Sequence, residues 1–340
     1  MRHPLSNRKI MNKISNYFYE REFRAFSKRR TARNRSTKGV LNHKKTVFFI
    51  VSLLFIPILN WLIFWLFVNI QSIVLAFQSP LDGHFTFDNF KLFWNNLTTP
   101  YNNVLGLALK NTAIYFAASV FIILPLSLVI AYFLYKKIFA YKFFRIVFFL
   151  PAIISSVALV TAYSTLIAPN GPIMRFLQSI GIHTNPSGLL GNKETATWTI
   201  LFYTIMTSFT TNVLLFSGAM SRVPTEVLES AKLEGCSPFR ELIEIIFPLI
   251  WPTFSTQLVF TMTGLFTASG PILLFDPLNK QGTITLSYWI FREAYGSGLG
   301  GGGVSSYNIV SCTGLCFTLI GFPIIMLVRK LTDKVDAVEY

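Results

Sequence analysis

Six apolar runs, at about 47–77, 111–135, 146–168, 197–220, 249–275 and 304–328, contain no Asp, Glu, Lys, Arg or His. Each exceeds the roughly 20 residues that a helix needs to cross the hydrocarbon layer of a bilayer. A chain with this pattern folds by satisfying its backbone inside helices, because lipid offers no hydrogen bonds. Composition agrees. Hydrophobic residues make up 52% and charged residues 13%, too little charge to clothe a soluble chain of 340 residues. The first run is long enough to tilt, and Pro57 marks a kink site; Pro125, Pro271 and Pro323 fall in later runs, where neighbouring helices can take up the freed backbone groups.

Orientation follows from the asymmetry of Lys and Arg. With the N-terminus inside, segments 1–46, 136–145, 221–248 and 329–340 hold 14, 4, 3 and 3 basic residues, 24 together, against 6 in the outside segments. Both termini are therefore expected in the cytoplasm. The basic N-terminal stretch, about 45 residues before the first apolar run, is too long for the start of a cleavable signal peptide. Beside a membrane it reads as topology-setting and lipid-contacting rather than nucleic-acid-binding. Cys236, Cys312 and Cys316 have neither metal-site nor disulfide spacing, and Cys312 and Cys316, one turn apart in an apolar run, read as small core residues.

The absence of charge within the runs disfavours proton-coupled carriers and membrane enzymes that need a buried acid or base. Asn60, Tyr163, Tyr203, Thr207, Asn212, Gln257, Thr263 and Ser269 remain. Such groups either hydrogen-bond between helices or hold a polar, uncharged solute. The candidate solute-pathway residues are Tyr203, Thr207, Asn212, Gln257, Phe260 and Thr263. No P-loop is present; the glycine-rich 296–303 has no following Lys and is expected outside. No metal-binding or catalytic set stands out, so any energy source must lie in another subunit. A membrane transferase is disfavoured by the scatter of Asp82, Asp88, Asp276 and Glu293, and a secondary carrier or channel remains the reading that needs no ATP.

Between the fourth and fifth runs stands ESAKLEGCSPFRELIEIIFP, residues 229–248, with six charged positions. Pro224 suits the first turn of a helix. Val227, Leu228 and Ala231 then share one face, while Glu226, Glu229, Ser230 and Lys232 turn the other way. Gly235 can stop that helix at positive φ, and Ser237-Pro238 opens a second helix running into Phe247-Pro248 and the fifth run. The bland reading is a solvated loop; the spacing is more specific.

It resembles the EAA signature of ABC importer permeases: Glu-Ala-Ala, three residues, Gly, nine residues, Ile-x-Leu-Pro. Here the positions are Glu229-Ser230-Ala231, Gly235 and Ile245-Ile246-Phe247-Pro248, departing at Ser230 and Phe247. Lys110-Asn111-Thr112 opening the second span, Phe149-Leu150-Pro151 with Ser155-Ser156, Asn170-Gly171-Pro172-Ile173 and His84–Phe90 are similar to the carbohydrate branch, the maltose-type and glycerol-phosphate-type permeases.

The resemblance implies an all-α integral membrane protein of six transmembrane helices, with a tail at 1–45, a first helix and external segment at 46–104, a permease core at 105–328 and a C-terminal tail at 329–340. It implies that the loop 221–248 docks on an ATPase through Glu229, Ser230, Ala231, Leu233, Gly235 and Pro248. It further implies a second permease subunit, two cytoplasmic ATPases that use ATP and Mg, and an extracellular solute-binding protein, in a bacterial plasma membrane. The chain itself would bind no cofactor.

Overall fold

The computed structural model describes residues 43–99, 103–181, 186–264, 271–296 and 304–334. Most of the basic tail, Ser269 and nearly all of the glycine-rich stretch lie outside these residues. The chain divides into two compact units after Gln71. Among the described residues the structure is helical, with one isolated bridge pairing Gln78 and Phe85.

Four helices are long and apolar enough to cross a membrane: α1 (Thr46–Ala76), α3 (Val104–Tyr135), the pair α7 (Lys193–Ser208) and α8 (Thr210–Met220), and Tyr307–Thr332 within α14 (Val304–Thr332). Two further spans qualify only as broken pairs. Helices α4 (Tyr141–Ile153) and α5 (Ser156–Leu166) meet at 108°, and α10 (Pro238–Leu249) and α11 (Trp251–Gly264) meet at 78°. Shorter elements are α2 (Asp88–Thr98), α6 (Pro172–Ser179), α9 (Thr225–Leu233), α12 (Ile272–Phe275) and α13 (Leu286–Tyr295).

The breaks interrupt the third and fifth apolar runs, and they have backbone causes. Ile154 and Ser155 take extended ψ values of 142° and 133°, after Pro151 has left the last turn of α4 one donor short. Ile250 leaves helical geometry at φ −97°, ψ 7°; Pro252, two residues on, has no N–H for the Pro248 carbonyl and crowds it with its ring. The helix after Gly235 is therefore not continuous with the fifth span. Wide π-helical turns at Ser119–Ile123 and Glu241–Ile246 directly precede Pro125 and Pro248. A wider turn relieves the contact between a proline ring and the carbonyl four residues back.

The second span starts at Val104, not near Asn111. Asn103 caps it, its Oδ1 accepting from the Gly106 N–H, and the lone Lys110 does not interrupt the apolar run. Asn111 consequently lies two turns inside α3 and is 3% exposed. Its Nδ2 donates to the carbonyls of Gly282 (2.9 Å) and Ile284 (2.8 Å), while Thr112 Oγ1 accepts from the Leu286 N–H at 2.9 Å. The same loop is folded on itself by Asp276, whose carboxylate accepts from the N–H groups of Lys280 and Gln281 and from Thr283 Oγ1. At the end of α1, Asn89 donates to Ala76 and Gln78 carbonyls and Asn308 to Leu75 and Gln78 carbonyls, so side-chain amides replace the missing helical turn. At the start of α2, Lys91 and then Thr86 hold the exposed Asp88 carboxyl below its usual range.

Two apolar clusters hold the second unit together. One gathers Phe93, Leu105, Ala108, Ile200, Ile284, Tyr288 and Cys312. The other joins Leu124, Leu128, Tyr132, Val213, Phe216 and Met220 with Leu228, Leu242 and Ile246. Replacing Asn111 with Leu should leave two loop carbonyls without donors, at about 1–3 kcal/mol each. The expected outcome is a thermal denaturation midpoint in detergent clearly below wild type. An unchanged midpoint would show that the amide does not pin the loop.

Candidate functional site

The short helix α9 is amphipathic and ends in a fully formed glycine cap. Pro224 stands just before its first turn at ψ 134°, one position earlier than the sequence suggests. Leu228 and Ala231 are buried, Leu228 within the cluster shared by α3, α8 and α10. Val227 is only partly turned away from solvent. At the C-terminus Gly235 takes φ +75°, its N–H donates to the Lys232 carbonyl and the Cys236 N–H donates to the Ala231 carbonyl, both at 3.0 Å. These are the two bonds of a Schellman cap, which needs a left-handed residue at this position. A Cβ built on Gly235 meets nothing within 4 Å, so glycine is required inside this chain for its φ and not for room.

Of the sequence-predicted docking residues, Glu229, Ser230, Leu233 and Gly235 are exposed. Leu233 is 90% exposed, an apolar side chain standing free at the tip. Ala231 instead packs inward and Pro248 is half-buried. Helix α9 thus presents its charged side and Leu233 outward while Leu228 and Ala231 are seated in the core.

The candidate pathway residues separate into three groups. Asn212 on α8 is buried, and its Oδ1 accepts from Gln257 Nε2 of α11 at 2.5 Å. Tyr203 is buried in an aromatic cluster with Tyr163 and Phe275, ring centroids 5.1 Å from each, and Tyr163 donates its hydroxyl to the Thr199 carbonyl. Thr207 turns its hydroxyl back on the Tyr203 carbonyl within its own helix. Phe260 and Thr263 are exposed on α11 and are not brought to either group.

The residues that sequence reasoning passed over are Lys136 and Glu241. Lys136 Nζ lies 2.5 Å from Glu241 Oε1, with the two side chains 24% and 4% exposed. The contact is an ion pair without hydrogen-bond alignment. The local pattern does not single out Glu241, because Glu244 three residues on is charged and exposed; the burial of Leu242 and Ile246 beside it is what reveals the inward position.

Several apolar membrane-length helices, broken spans and a capped amphipathic helix seated in their core define a class: multi-pass membrane proteins that display a rigid knob outside the bundle. Residues 123–337 match the family model described as binding-protein-dependent transport system inner membrane component, and the chain belongs to that family. It is 30% identical over 241 residues to the probable ABC transporter permease protein MG188 homolog of Mycoplasma pneumoniae, covering 66% of this chain and 69% of that protein. It is 22% identical to the arabinooligosaccharides transport system permease protein AraP of Bacillus subtilis, covering 72% of this chain and 80% of that one. In fold it is similar to a chain of a bacterial ABC transporter involved in the import of the acidic polysaccharide alginate. That similarity has a TM-score of 0.71 at 19% identity, over 85% of this chain and 96% of the other. The protein is therefore a permease of the binding-protein-dependent ABC transporter family.

Asn212 and Gln257 should behave as an interhelical pair. A double-mutant cycle with Asn212→Leu and Gln257→Leu is expected to give a coupling of about 0.6 kcal/mol, the usual size for such bonds in membranes. A coupling of zero in detergent unfolding would dissolve the pair.

Proposed function

We propose that this chain is the permease subunit of an ATP-driven importer that moves a carbohydrate through a six-span bundle with both termini in the cytoplasm. The observation that carries the reading is α9: a charged helix, closed by the Gly235 cap, whose inner face is seated against the spans. Such a helix can receive a push from outside and pass it to the bundle as a rigid body. In this reading a cytoplasmic ATPase receives Leu233 and the exposed Glu229 face in a cleft. The ATPase supplies the chemistry of ATP and Mg, and this chain converts its closure into span movement. A second permease completes the pathway, two ATPases drive it, and an extracellular binding protein delivers the solute. A related bacterial alginate ABC transporter, solved in complex with its pentasaccharide-bound periplasmic protein, supports that last partner.

Two features support a neutral or hydroxyl-rich solute. The polar groups facing one another inside the spans, Asn212 with Gln257 and Tyr163 beside Tyr203, are uncharged. Relatives named for arabinooligosaccharides and lactose point to the same chemical class. Amide and phenol groups bind hydroxyls reversibly, whereas a fixed charge within a span would hold an ion.

The test is Gly235→Trp in the reconstituted complex. A Cβ at Gly235 meets nothing within this chain, while φ +75° strains any side chain there, so Gly235→Ala reports the loss of the cap alone and the added effect of Gly235→Trp falls on whatever approaches from outside. Membrane insertion should persist while solute-stimulated ATP hydrolysis is lost. Wild-type stimulation would refute docking at α9, and uptake by this chain alone in liposomes would refute the need for an ATPase.

A further inference from the structure

The Glu241 carboxylate is nearly sealed from solvent in the first turn of α10, six residues beyond Gly235, and its neighbours Leu242 and Ile246 belong to the apolar cluster that α3 and α8 share. Its cation comes from a different element: Lys136 closes the C-terminal end of α3. The lysine ammonium also stands 5.8 Å above the Tyr132 ring, one turn back on α3. Beside it Phe133 of α3 meets Phe239 of α10 edge to face, centroids 6.1 Å apart. By contrast, Arg240 and Glu244 on the same helix pair at 2.7 Å with 67% and 56% of their side chains exposed, a contact that water and salt largely cancel.

We propose that Lys136 and Glu241 form a rivet that fixes the segment following the coupling helix to the end of the second span. They are positioning residues, and the proposal rests on the coupling role given to α9 above. Opening the pair would leave a carboxylate uncompensated in an apolar pocket, which is strongly disfavoured. The pair therefore stays closed through the transport cycle. The flexible point lies instead at Ile250, where α10 and α11 meet at 78° and the backbone has already left helical geometry. Force received at α9 is thereby delivered to α3 and α8 directly, and α11 follows by bending.

The experiment uses the complete complex of both permeases, ATPases and binding protein in liposomes, reading solute moved per ATP hydrolysed. Glu241→Gln and Lys136→Met should each lower that ratio about tenfold while the ATPase still co-purifies, as expected for loss of a coupling contact. The exchanged pair, Lys136→Glu with Glu241→Lys, should recover most of it.

In a background with Cys236, Cys312 and Cys316 replaced by Ser, the pair Lys136→Cys and Glu241→Cys should be uncoupled when reduced. It should be restored by a short bifunctional thiol reagent, because a closed rivet can be covalent. A purely structural role would show as loss of assembly without this rescue. Wild-type ratios in the single variants, or cross-linked complexes that assemble but stay uncoupled, would overturn the rivet. If single variants do not assemble, the exchanged and cross-linked forms decide the matter. Absence of ATP-driven uptake in the unsubstituted complex would overturn the transport reading and this proposal together, and is recognised before any substitution is made.

Discussion

Hydrocarbon cannot hydrogen-bond to a peptide group, so wherever a helix in this chain stops, another part of the chain must supply the partner. That requirement accounts for several of the polar residues that the second unit buries. Asn89 and Asn308 converge on the carbonyls of Leu75, Ala76 and Gln78, where α1 ends. Asn111 and Thr112 reach from α3 to the backbone of 282–286, and Asp276 closes the same loop from within. A side-chain amide is suited to this task because its two N–H groups can serve two carbonyls at once without carrying charge into the bilayer. The result is a bundle whose irregular segments are tied to regular helices by single residues, so losing one amide loosens a whole loop.

The same constraint explains which features are legible in the sequence. Long uncharged runs favour helices in lipid, and among the described residues each of the six runs contains helical segments. The glycine at 235 is legible because a helix followed by Ser-Pro needs a left-handed stop, and the Schellman bonds around it meet that need. The breaks at Ile154 and Ile250 are not legible from periodicity, because each residue is apolar and sits inside an apolar run. Their cause is a proline whose effect depends on whether neighbouring turns widen, as at Ser119–Ile123 and Pro125, or open, as before Pro252. Pattern alone does not distinguish those outcomes, since both satisfy the backbone.

The candidate pathway shows a similar division. Hydroxyl and amide residues are visible in the sequence as exceptions within apolar runs, but their partners are set by helix rotation. Asn212 finds Gln257 because α8 and α11 face each other there, whereas Phe260 and Thr263, one and two turns further along α11, fall on its exposed side. Thr207 spends its hydroxyl on its own helix, the usual fate of a threonine with no cross-helix acceptor in reach. Charge was easier to misplace. Glu241 lies in a stretch where five other ionised groups are exposed, so composition assigns it to the surface, and only the packing of Leu242 and Ile246 turns it inward.

That inward turn gives the charged interruption its mechanical sense. An amphipathic helix held only by Leu228 and Ala231 could roll on an apolar surface, because dispersion contacts have no preferred direction. In the proposed rivet, the pair between α3 and the first turn of α10 fixes the segment that follows the cap, since the carboxylate has one cation to meet and rotation would bury it unpaired. The apolar face therefore supplies adhesion and the buried pair supplies direction. The exposed Leu233 and Glu229 are left at a defined angle to the spans, as the docking proposed for α9 requires.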